Sequence, residues 1–393
     1  MLAYSKLQTL AKLDFLAILR GFFYKYFMKS LIKNHGPISI ADFIREAMFN
    51  PLHGYYRTKK PIGKAGDFIT APEISQVFGE LIAAYFLNFI LASDKKIALV
   101  EMGAGRGTLF HDIILTIKSL TKKLGRELDI KERVSFHIIE ISESLTKIQQ
   151  ENLQNFGAQI QWYQDFASFK KQNSGAEIYF FANELFDCFP THQFIKTKAG
   201  WQERMVGILN DELAFVAENF NPIKNKMVQS LVNQGSVNEK IAPEDSIFEY
   251  SFAAINFMNE LSETLKTQGG IGLIIDYGYL NLPFKSTLQA LKNHQYHDVL
   301  QNVGECDITT LVNFFTLENC AKNSQLNSSL ITQREFLLSL GIEERAMALQ
   351  AQDLTRQNYN QNNLSSSQSD AINRLINPDQ MGELFKCLII WRQ

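Results

Sequence analysis

The sequence lacks the features that mark membrane-spanning, disulfide-rich and nucleic-acid-binding proteins. No apolar stretch approaches the roughly eighteen residues that a membrane span needs, so no span is predicted. The four cysteines lack Cys-x-x-Cys spacing, which favours reduced thiols in a cytosol-like compartment over a disulfide or zinc scaffold. Lys plus Arg (39) nearly balance Asp plus Glu (41), so nucleic acid is not an expected partner.

The segment from Ala98 to Thr108 is the most informative part of the chain. A short apolar run, typical of a buried parallel strand, is followed by glycine at every second position: Gly103, Gly105 and Gly107. Glycine lacks Cβ, so this loop permits positive φ and a close approach of the backbone to a ligand. Thr108 opens a stretch with the apolar spacing of a helix. We therefore predict a strand-loop-helix nucleotide site.

The spacing and charge of this loop narrow the choice of nucleotide. Dinucleotide folds use G-x-G-x-x-G, whereas the third glycine here comes one residue early, and the Gly-Lys-Ser/Thr ending of a phosphate-binding loop is missing. Glu101, two residues before the first glycine, would repel a pyrophosphate but suits a cation. S-adenosyl-L-methionine (SAM) carries a sulfonium and an ammonium, and it is the predicted cofactor.

Acidic residues follow the next two strand-like runs. Glu140 stands at the end of the first, where its carboxylate can accept two hydrogen bonds from a ribose diol, with Ile141 beside it. Asp165 and Phe166 follow the second run, and we expect them to bind the adenine amino group and to stack on the adenine ring.

A fourth apolar run, over residues 178–182, ends in a polar cluster. In a parallel sheet this end faces the ligand crevice, so Asn183, Glu184 and Asp187 are expected at the reacting end of the cofactor. Residues 271–276 form a fifth predicted strand.

A glycine-punctuated loop precedes the nucleotide strand. It runs from Gly63 to Glu73 and includes Thr70 and Pro72. Its position predicts a lid over the cofactor.

The remaining elements are a hairpin turning at Asn210-Asp211, a polar irregular stretch over 217–246, a last strand over 384–391, and a helical or loose surface insertion over 350–368. The first 27 residues are rich in aromatic and basic side chains. They are an organellar presequence, an amphipathic helix, or untranslated sequence ahead of Met28.

The motifs resemble those of the MidA family of class I SAM-dependent methyltransferases. The resemblance covers about Met28 to Trp391. It rests on Gly66-Asp67-Phe68-Ile69-Thr70-Ala71-Pro72-Glu73, Glu101-Met102-Gly103-Ala104-Gly105-Arg106-Gly107-Thr108-Leu109, Asn183-Glu184-Leu185-Phe186-Asp187, Ile274-Ile275-Asp276-Tyr277-Gly278 and Met381-Gly382-Glu383-Leu384-Phe385-Lys386. The chain departs from the family pattern at Val303 and Asn313, which concerns substrate recognition more than the cofactor.

The resemblance implies an α/β class I methyltransferase fold: a Rossmann-like seven-stranded sheet with a reversed last strand, a helical N-terminal segment and an inserted cap. We accordingly divide the chain into an extension (1–27), a helical segment with lid loop (28–92), a SAM-binding half (93–190), an inserted hairpin and cap (191–262), and the rest of the sheet with a polar insertion (263–393). Eukaryotic family members act on arginine in the assembly of mitochondrial complex I. A protein substrate, such as a complex I subunit, is therefore expected.

If the acceptor is a guanidinium, carboxylates must bind it, because it is cationic at ordinary pH. Glu184, Asp187 and Glu73 are the candidate clamp. His297 is an alternative general base for a less basic acceptor, and the His294-x-x-His297-Asp298 spacing lacks the ligand pattern of a metal site, so no metal is predicted. Arg106 is expected to be structural, with contact to the cofactor carboxylate as the alternative.

Two functional classes remain at this stage: a protein arginine methyltransferase, and a SAM-binding assembly factor or interaction protein without significant transferase activity. The expected location is a bacterial cytoplasm, or the mitochondrial matrix if residues 1–27 are a presequence. The oligomeric state is open, with a homodimer as one alternative.

Overall fold

The computed structural model of the protein describes residues 24–58, 70–156, 160–234, 242–292, 295–301, 303–356 and 364–392. The helices are α1 (24–35), α2 (Ile40–Phe49), α3 (Tyr55–Thr58), α4 (Ala71–Ile74), α5 (Gln76–Ala92), α6 (Thr108–Lys123), α7 (Glu127–Arg133), α8 (Glu143–Leu153), α9 (Phe166–Gln172), α10 (Pro222–Gln234), α11 (Phe252–Gln268), α12 (Phe314–Asn323), α13 (Gln333–Ser339), α14 (Ile342–Arg356) and α15 (Leu364–Ile376).

The strands are β1 (Ile38–Ser39), β2 (Ile97–Met102), β3 (Val134–Ile139), β4 (Ile160–Tyr163), β5 (Glu177–Asn183), β6 (His192–Thr197), β7 (Gly200–Leu209), β8 (Glu212–Ala217), β9 (Ile247–Tyr250), β10 (Gly270–Tyr279), β11 (Gln289–Lys292), β12 (Gln295–His297), β13 (Asp307–Thr309), β14 (Val312–Asn313), β15 (Asn327–Thr332) and β16 (Phe385–Trp391). Short helical turns lie at Gln154–Phe156, Phe186–Cys188 and Pro378–Gly382.

The central sheet has the strand order β4-β3-β2-β5-β10-β16-β15, and the short β14 pairs with β10. Strands β2, β3, β4, β5 and β10 are parallel, whereas β16 is antiparallel to both β10 and β15. The predicted parallel sheet with a reversed last strand is confirmed. The reversed strand does not form the edge of the sheet, because β15 pairs outside it. Strand β15 (NSSLIT) was missed, since its half-buried, mostly polar residues carry little apolar signal.

Apolar side chains on alternate positions of the strands pack against helices on both faces of the sheet. Leu99 of β2 faces the layer of α5 and α6, which contributes the fully buried Phe86 and Phe110. Its neighbour Val100 faces the layer of α11 and α12, where Leu261 is buried. The sheet is therefore covered on both sides, and its carboxyl edge is the place left for a ligand.

A second sheet, of order β1-β7-β6-β9 with β8 on β7, consists of the N-terminal β1 and of four strands inserted after β5. The predicted hairpin is present: β7 and β8 turn at Asn210 (φ 50°) and Asp211 (φ 57°), residues that tolerate the left-handed conformation. Residues 217–246 were expected to be irregular, but α10 forms there and buries Val228 and Val232. Two buried apolar positions give a weak helical signal, which explains the error.

The N-terminal helices pack on this inserted sheet. Met28 and Ile32 of α1 are buried in the same cluster as Val206 of β7. Helix α2 begins after Ser39, whose hydroxyl accepts a hydrogen bond from the Asp42 amide at 2.9 Å. Within the described part of the chain, helix α1 includes the residues just before Met28. Residues 1–23 lie outside the described part.

Candidate active site

A cavity of about 390 Å³, including the open solvent at its mouth, lies at the carboxyl edge of β2 and β5. It brings together nine of the predicted site residues: Thr70, Pro72, Glu73, Glu101, Gly103, Gly105, Thr108, Asn183 and Glu184. Ala104, Arg106 and Leu109 complete its lining. Ala104 and Leu109 were not predicted as cofactor residues, and Arg106 was predicted as one only in the alternative, although all three lie within the glycine-loop motif that identified the site.

The glycine loop adopts the left-handed conformation that its sequence predicts. Gly103, Gly105 and Gly107 have φ values of 74°, 54° and 81°. A Cβ on Gly103 would lie 2.7 Å from Leu185 Cδ1, so the loop is also closely packed against the turn after β5. Gly107 precedes the first residue of α6, and its amide donates to the Ala104 carbonyl at 2.7 Å. Glycine is thus required by conformation and by space.

Glu101 presents a buried carboxylate to this cavity. Its side chain is 3% exposed, and Oε2 has no hydrogen-bond partner within the described residues. Burial, with a smaller contribution from the charge of Glu140, raises the pKa of Glu101 well above its usual value. A cation bound nearby would offset the cost of ionising this group.

The basic residue Arg106 is also part of the cavity wall. Its backbone carbonyl accepts a hydrogen bond from Asn152 Nδ2 at 2.9 Å, which fixes the loop, while Arg106 itself lines the cavity. This position favours the alternative interpretation of Arg106, in which it contacts the cofactor carboxylate.

The described end of the predicted lid closes one side of the cavity. Two side-chain bonds hold α4 there: the Ala71 amide donates to Glu184 Oε1 at 3.0 Å, and Thr108 Oγ1 donates to Glu73 Oε1 at 2.6 Å. Thr70 caps the helix by position, and Pro72 lies in its first turn. The earlier lid residues, 63–69, lie outside the described part of the chain.

Glu184 stands directly after β5 in a strained conformation. Its φ of 52° is unusual for a residue with a Cβ. Oε1 accepts from the Ala71 amide and from Asn183 Nδ2 (3.1 Å). Burial raises the pKa of Glu184 to about 7, partly opposed by the bond from Ala71. Strain and an elevated pKa at one cavity residue are typical of a functional group.

Glu140 lies near the glycine loop but does not line the cavity. Its oxygens accept from the Ser142 amide (2.8 Å) and from Gln149 Nε2 (3.1 Å). Gln149, on α8, was missed by the sequence reasoning because a glutamine within a helix belongs to no motif. Ile141 follows Glu140 and is 54% exposed, so its side chain is accessible to a ligand.

The structure corrects the expectation that Phe166 stacks on adenine. Its ring is 4% exposed and packs in the core against Phe169, Phe180 and Phe257. Asp165 accepts from the Ser168 amide at 2.7 Å and caps α9. This bond lowers the pKa of Asp165. The Asp165 carboxylate therefore caps α9, and neither Asp165 nor Phe166 lines the cavity.

Asp187 is buried within a hydrogen-bond network and does not line the cavity. It is 6% exposed and accepts from the Tyr277 hydroxyl and from Cys188 Sγ (3.2 Å). Burial raises its pKa. Asp276, another buried carboxylate, accepts from the Phe186 and Asp187 amides and fixes this turn. The proposed clamp is thus reduced to Glu184 and Glu73.

His297 lies on the exposed strand β12, outside the cavity lining, so the alternative of His297 as the base loses its support. His294 lies outside the described residues. Within the described ranges, no group of three His, Cys, Asp or Glu side chains is placed to hold a metal ion. No helix among them is long and apolar enough to cross a membrane. Cys188, Cys320 and Cys387 are free thiols.

The cavity fits SAM by the charge and hydrogen-bonding capacity of its walls. The cofactor carries a carboxylate and two cationic groups. Arg106 can bind the carboxylate, and the unpartnered Oε2 of Glu101 suits a cation. Asn183 Oδ1 is also buried without a partner in the described structure, and offers a further acceptor.

Comparison with known proteins agrees with this chemistry. A family model described as S-adenosyl-L-methionine-dependent methyltransferase matches residues 81–332. The chain is 34% identical to "Protein arginine methyltransferase NDUFAF7, mitochondrial" of Danio rerio, covering 89% of this chain and 82% of that one. The Homo sapiens protein of the same name is 31% identical, with 90% and 80% covered.

A solved structure supports the fold independently. A Burkholderia thailandensis protein, crystallised with S-adenosyl-homocysteine (SAH), superposes with a TM-score of 0.79 at 23% identity, covering 96% of this chain and 93% of that one. The family match spans the glycine loop, the strands β2 and β5, and the inserted strands β6 to β9. The chain therefore belongs to this family of S-adenosyl-L-methionine-dependent methyltransferases.

Proposed function

We propose that the methyl acceptor is an arginine side chain of a protein. The observation that carries this proposal is Glu184, a half-buried carboxylate on the cavity wall whose hydrogen bonds from the Ala71 amide and from Asn183 Nδ2 both end at the same oxygen, Oε1. A guanidinium is the cation that matches a carboxylate with a planar pair of donors. The names of the relatives from Danio rerio and Homo sapiens point to the same substrate class.

When bound, SAM supplies an electrophilic methyl group, and its C–S bond breaks as the N–C bond to the acceptor forms. The residues of the chain position the acceptor and exclude water. Glu184 binds the guanidinium through Oε2 and accepts the proton that the attacking nitrogen loses. Glu73, held by Thr108, adds a second negative charge on the same wall.

The elevated pKa of Glu184 suits this role. A carboxyl group with a pKa of about 7 accepts a proton more readily than an exposed carboxylate and returns it to solvent near neutral pH. The bound guanidinium favours the ionised form of Glu184, so binding of the acceptor leaves this carboxylate able to take up a proton.

The substitution Glu184→Gln tests the proposal. It keeps an acceptor for the Ala71 amide and removes the charge, so transfer to arginine should fall about a hundredfold or more, while SAH affinity changes by a few-fold at most. Glu177→Gln is the matched control, because Glu177 lies at the opposite end of the same strand and bonds Ser93 and Lys95. It should leave transfer unchanged.

The substrate can be found by incubating the protein with labelled SAM and a lysate of its own cells, then hydrolysing the labelled polypeptide. Methylarginine is the expected product. Label on another residue type would overturn the arginine proposal. If no polypeptide is labelled although SAM binds, the binding-only assembly factor is favoured. The identity of the polypeptide also tests the expectation of a complex I subunit, and fractionation of the cells tests the mitochondrial and cytoplasmic alternatives.

A further inference from the structure

Gln149 occupies an unusual place for a neutral side chain. It lies on α8, is 0% exposed, and its amide contacts parts of three consecutive parallel-strand units. Nε2 donates to the Gly105 carbonyl (2.9 Å) and to Glu140 Oε2 (3.1 Å), while Oε1 accepts from Trp162 Nε1 (3.1 Å). Gly105 follows β2, Glu140 follows β3, and Trp162 lies in β4.

The orientation of this amide is determined by Trp162. An indole nitrogen donates and never accepts, so it must face Oε1 of the amide. The two Nε2 hydrogens are then directed at the glycine-loop carbonyl and at the Glu140 carboxylate. All the hydrogen-bonding groups of this buried amide are used, which makes the arrangement specific.

We infer that Gln149 is a positioning residue that holds the glycine loop and the Glu140 carboxylate in the geometry required for cofactor binding. The Gly105 carbonyl is fixed with its backbone in the left-handed conformation, at the wall of the cofactor cavity. One Glu140 oxygen is oriented by Gln149 and the other by the Ser142 amide, so the direction of the carboxylate is fixed from two sides. Trp162 contributes indirectly, because its indole N–H determines the orientation of the Gln149 amide.

This inference concerns cofactor binding and does not depend on arginine as the acceptor. It does use the assignment of Glu140 to the ribose. The experiment therefore measures binding of SAH and of its 2′-deoxy analogue by calorimetry, with no acceptor present. The ratio of the two dissociation constants reports whether a hydroxyl of the ribose is recognised.

Gln149→Met removes the amide and keeps the length of the side chain. It should weaken SAH binding about tenfold and bring the ratio of the two constants close to one, because Glu140 is no longer oriented. Gln333→Met is the matched control: Gln333 is also 0% exposed and donates to the Leu375 carbonyl, at a site outside the cavity lining. It should leave both constants within about twofold of the parent.

Trp162→Phe provides a second, milder test if Gln149→Met does not fold. This substitution allows the Gln149 amide to rotate. The ratio of the two dissociation constants should therefore fall part of the way toward one, and SAH should bind a few-fold more weakly. The inference is overturned if both ligands weaken by the same factor, if SAH binds these variants with parental affinity, or if the parent itself does not distinguish the analogue. Loss of methyl transfer with unchanged binding constants would also contradict it.

Discussion

At the scale of single residues, the site depends on groups that are unfavourable for the ligand-free fold. Glu101 is a buried carboxylate with an unpartnered oxygen, and Glu184 combines a positive φ with a raised pKa. Gly105 avoids such strain only because it lacks a Cβ. Each of these residues lines the same cavity. Locally unfavourable groups that lie together in this way indicate a role in ligand recognition.

Replacing Gly105 with valine should weaken SAM binding more than tenfold, because a branched side chain would stand at the cavity wall in a left-handed backbone conformation. Calorimetry measures the change. Gly125→Val is the control for backbone strain alone: Gly125 has a φ of 65° and free space around its Cβ position. If Gly105→Val binds as well as Gly125→Val, the glycine loop does not contact the cofactor.

Residue types with a conformational or charge signature could be identified from the sequence. The three glycines and Glu101 were found in this way, because positive φ and an isolated carboxylate at a strand end restrict the residue choice. The left-handed φ of Glu184 could not be inferred, since glutamate carries no such signature. Phe166 was misplaced because adjacent residues point in different directions, and the sequence alone does not show which one faces the ligand.

At the scale of elements, α4 connects two sides of the cavity. It spans only Ala71–Ile74, too short to be stable alone, so the bonds from Ala71 to Glu184 and from Thr108 to Glu73 hold it in place. The first bond attaches it to β5 and the second to α6. A change at either contact should therefore affect how long the cofactor stays bound.

Thr108→Val keeps the shape of the side chain and removes the hydroxyl that binds Glu73. SAH should dissociate about five times faster, the scale of one lost hydrogen bond, with little change in the association rate. Stopped-flow displacement gives both rates. Thr121→Val, in the same helix, removes a hydroxyl that bonds only its own helix, and it should leave dissociation at the parental rate. Equal dissociation from both variants would show that α4 does not retain the ligand.

The strands buried on both faces were easier to predict than the half-exposed elements. Long apolar runs identified β2, β3, β5, β10 and β16, because strands buried on both faces have few polar positions. Strand β15 and helix α10 are half-exposed, and their mixed composition hides their periodicity. The buried network around Asp187 joins residues that are distant in sequence, and such contacts have no local signal.

At the scale of the whole molecule, buried carboxyl groups cluster at the carboxyl edge of the central sheet. Burial raises the pKa values of Glu101, Glu184, Asp187 and Asp276. The folded protein thus binds more protons than the unfolded chain at neutral pH, and folding stability must fall as pH increases through this range. Buried His137, whose pKa is lowered to about 4, has the opposite effect and makes folding stability increase with pH. This effect ends once the pH reaches the usual pKa of histidine.

We expect the melting temperature of the ligand-free protein to fall between about pH 6.5 and pH 8.5, where the carboxyl groups dominate this balance. Bound SAM should reduce the fall, because a cation next to Glu101 favours the ionised carboxylate. Scanning calorimetry across this pH range, with and without SAM, tests both statements. A melting temperature that increases with pH in the ligand-free protein would show that the carboxyl groups are ionised without penalty.

The position of β16 between β10 and β15 has a consequence for synthesis on the ribosome. Strand β15 is made long before β16, yet in the described sheet it pairs with β16 alone. A nascent chain that ends before Phe385 therefore exposes two unpaired strand edges, those of β10 and β15, both competent to pair with other chains. Ribosome-bound intermediates of this protein should consequently depend on chaperones until the segment Phe385–Trp391 has emerged.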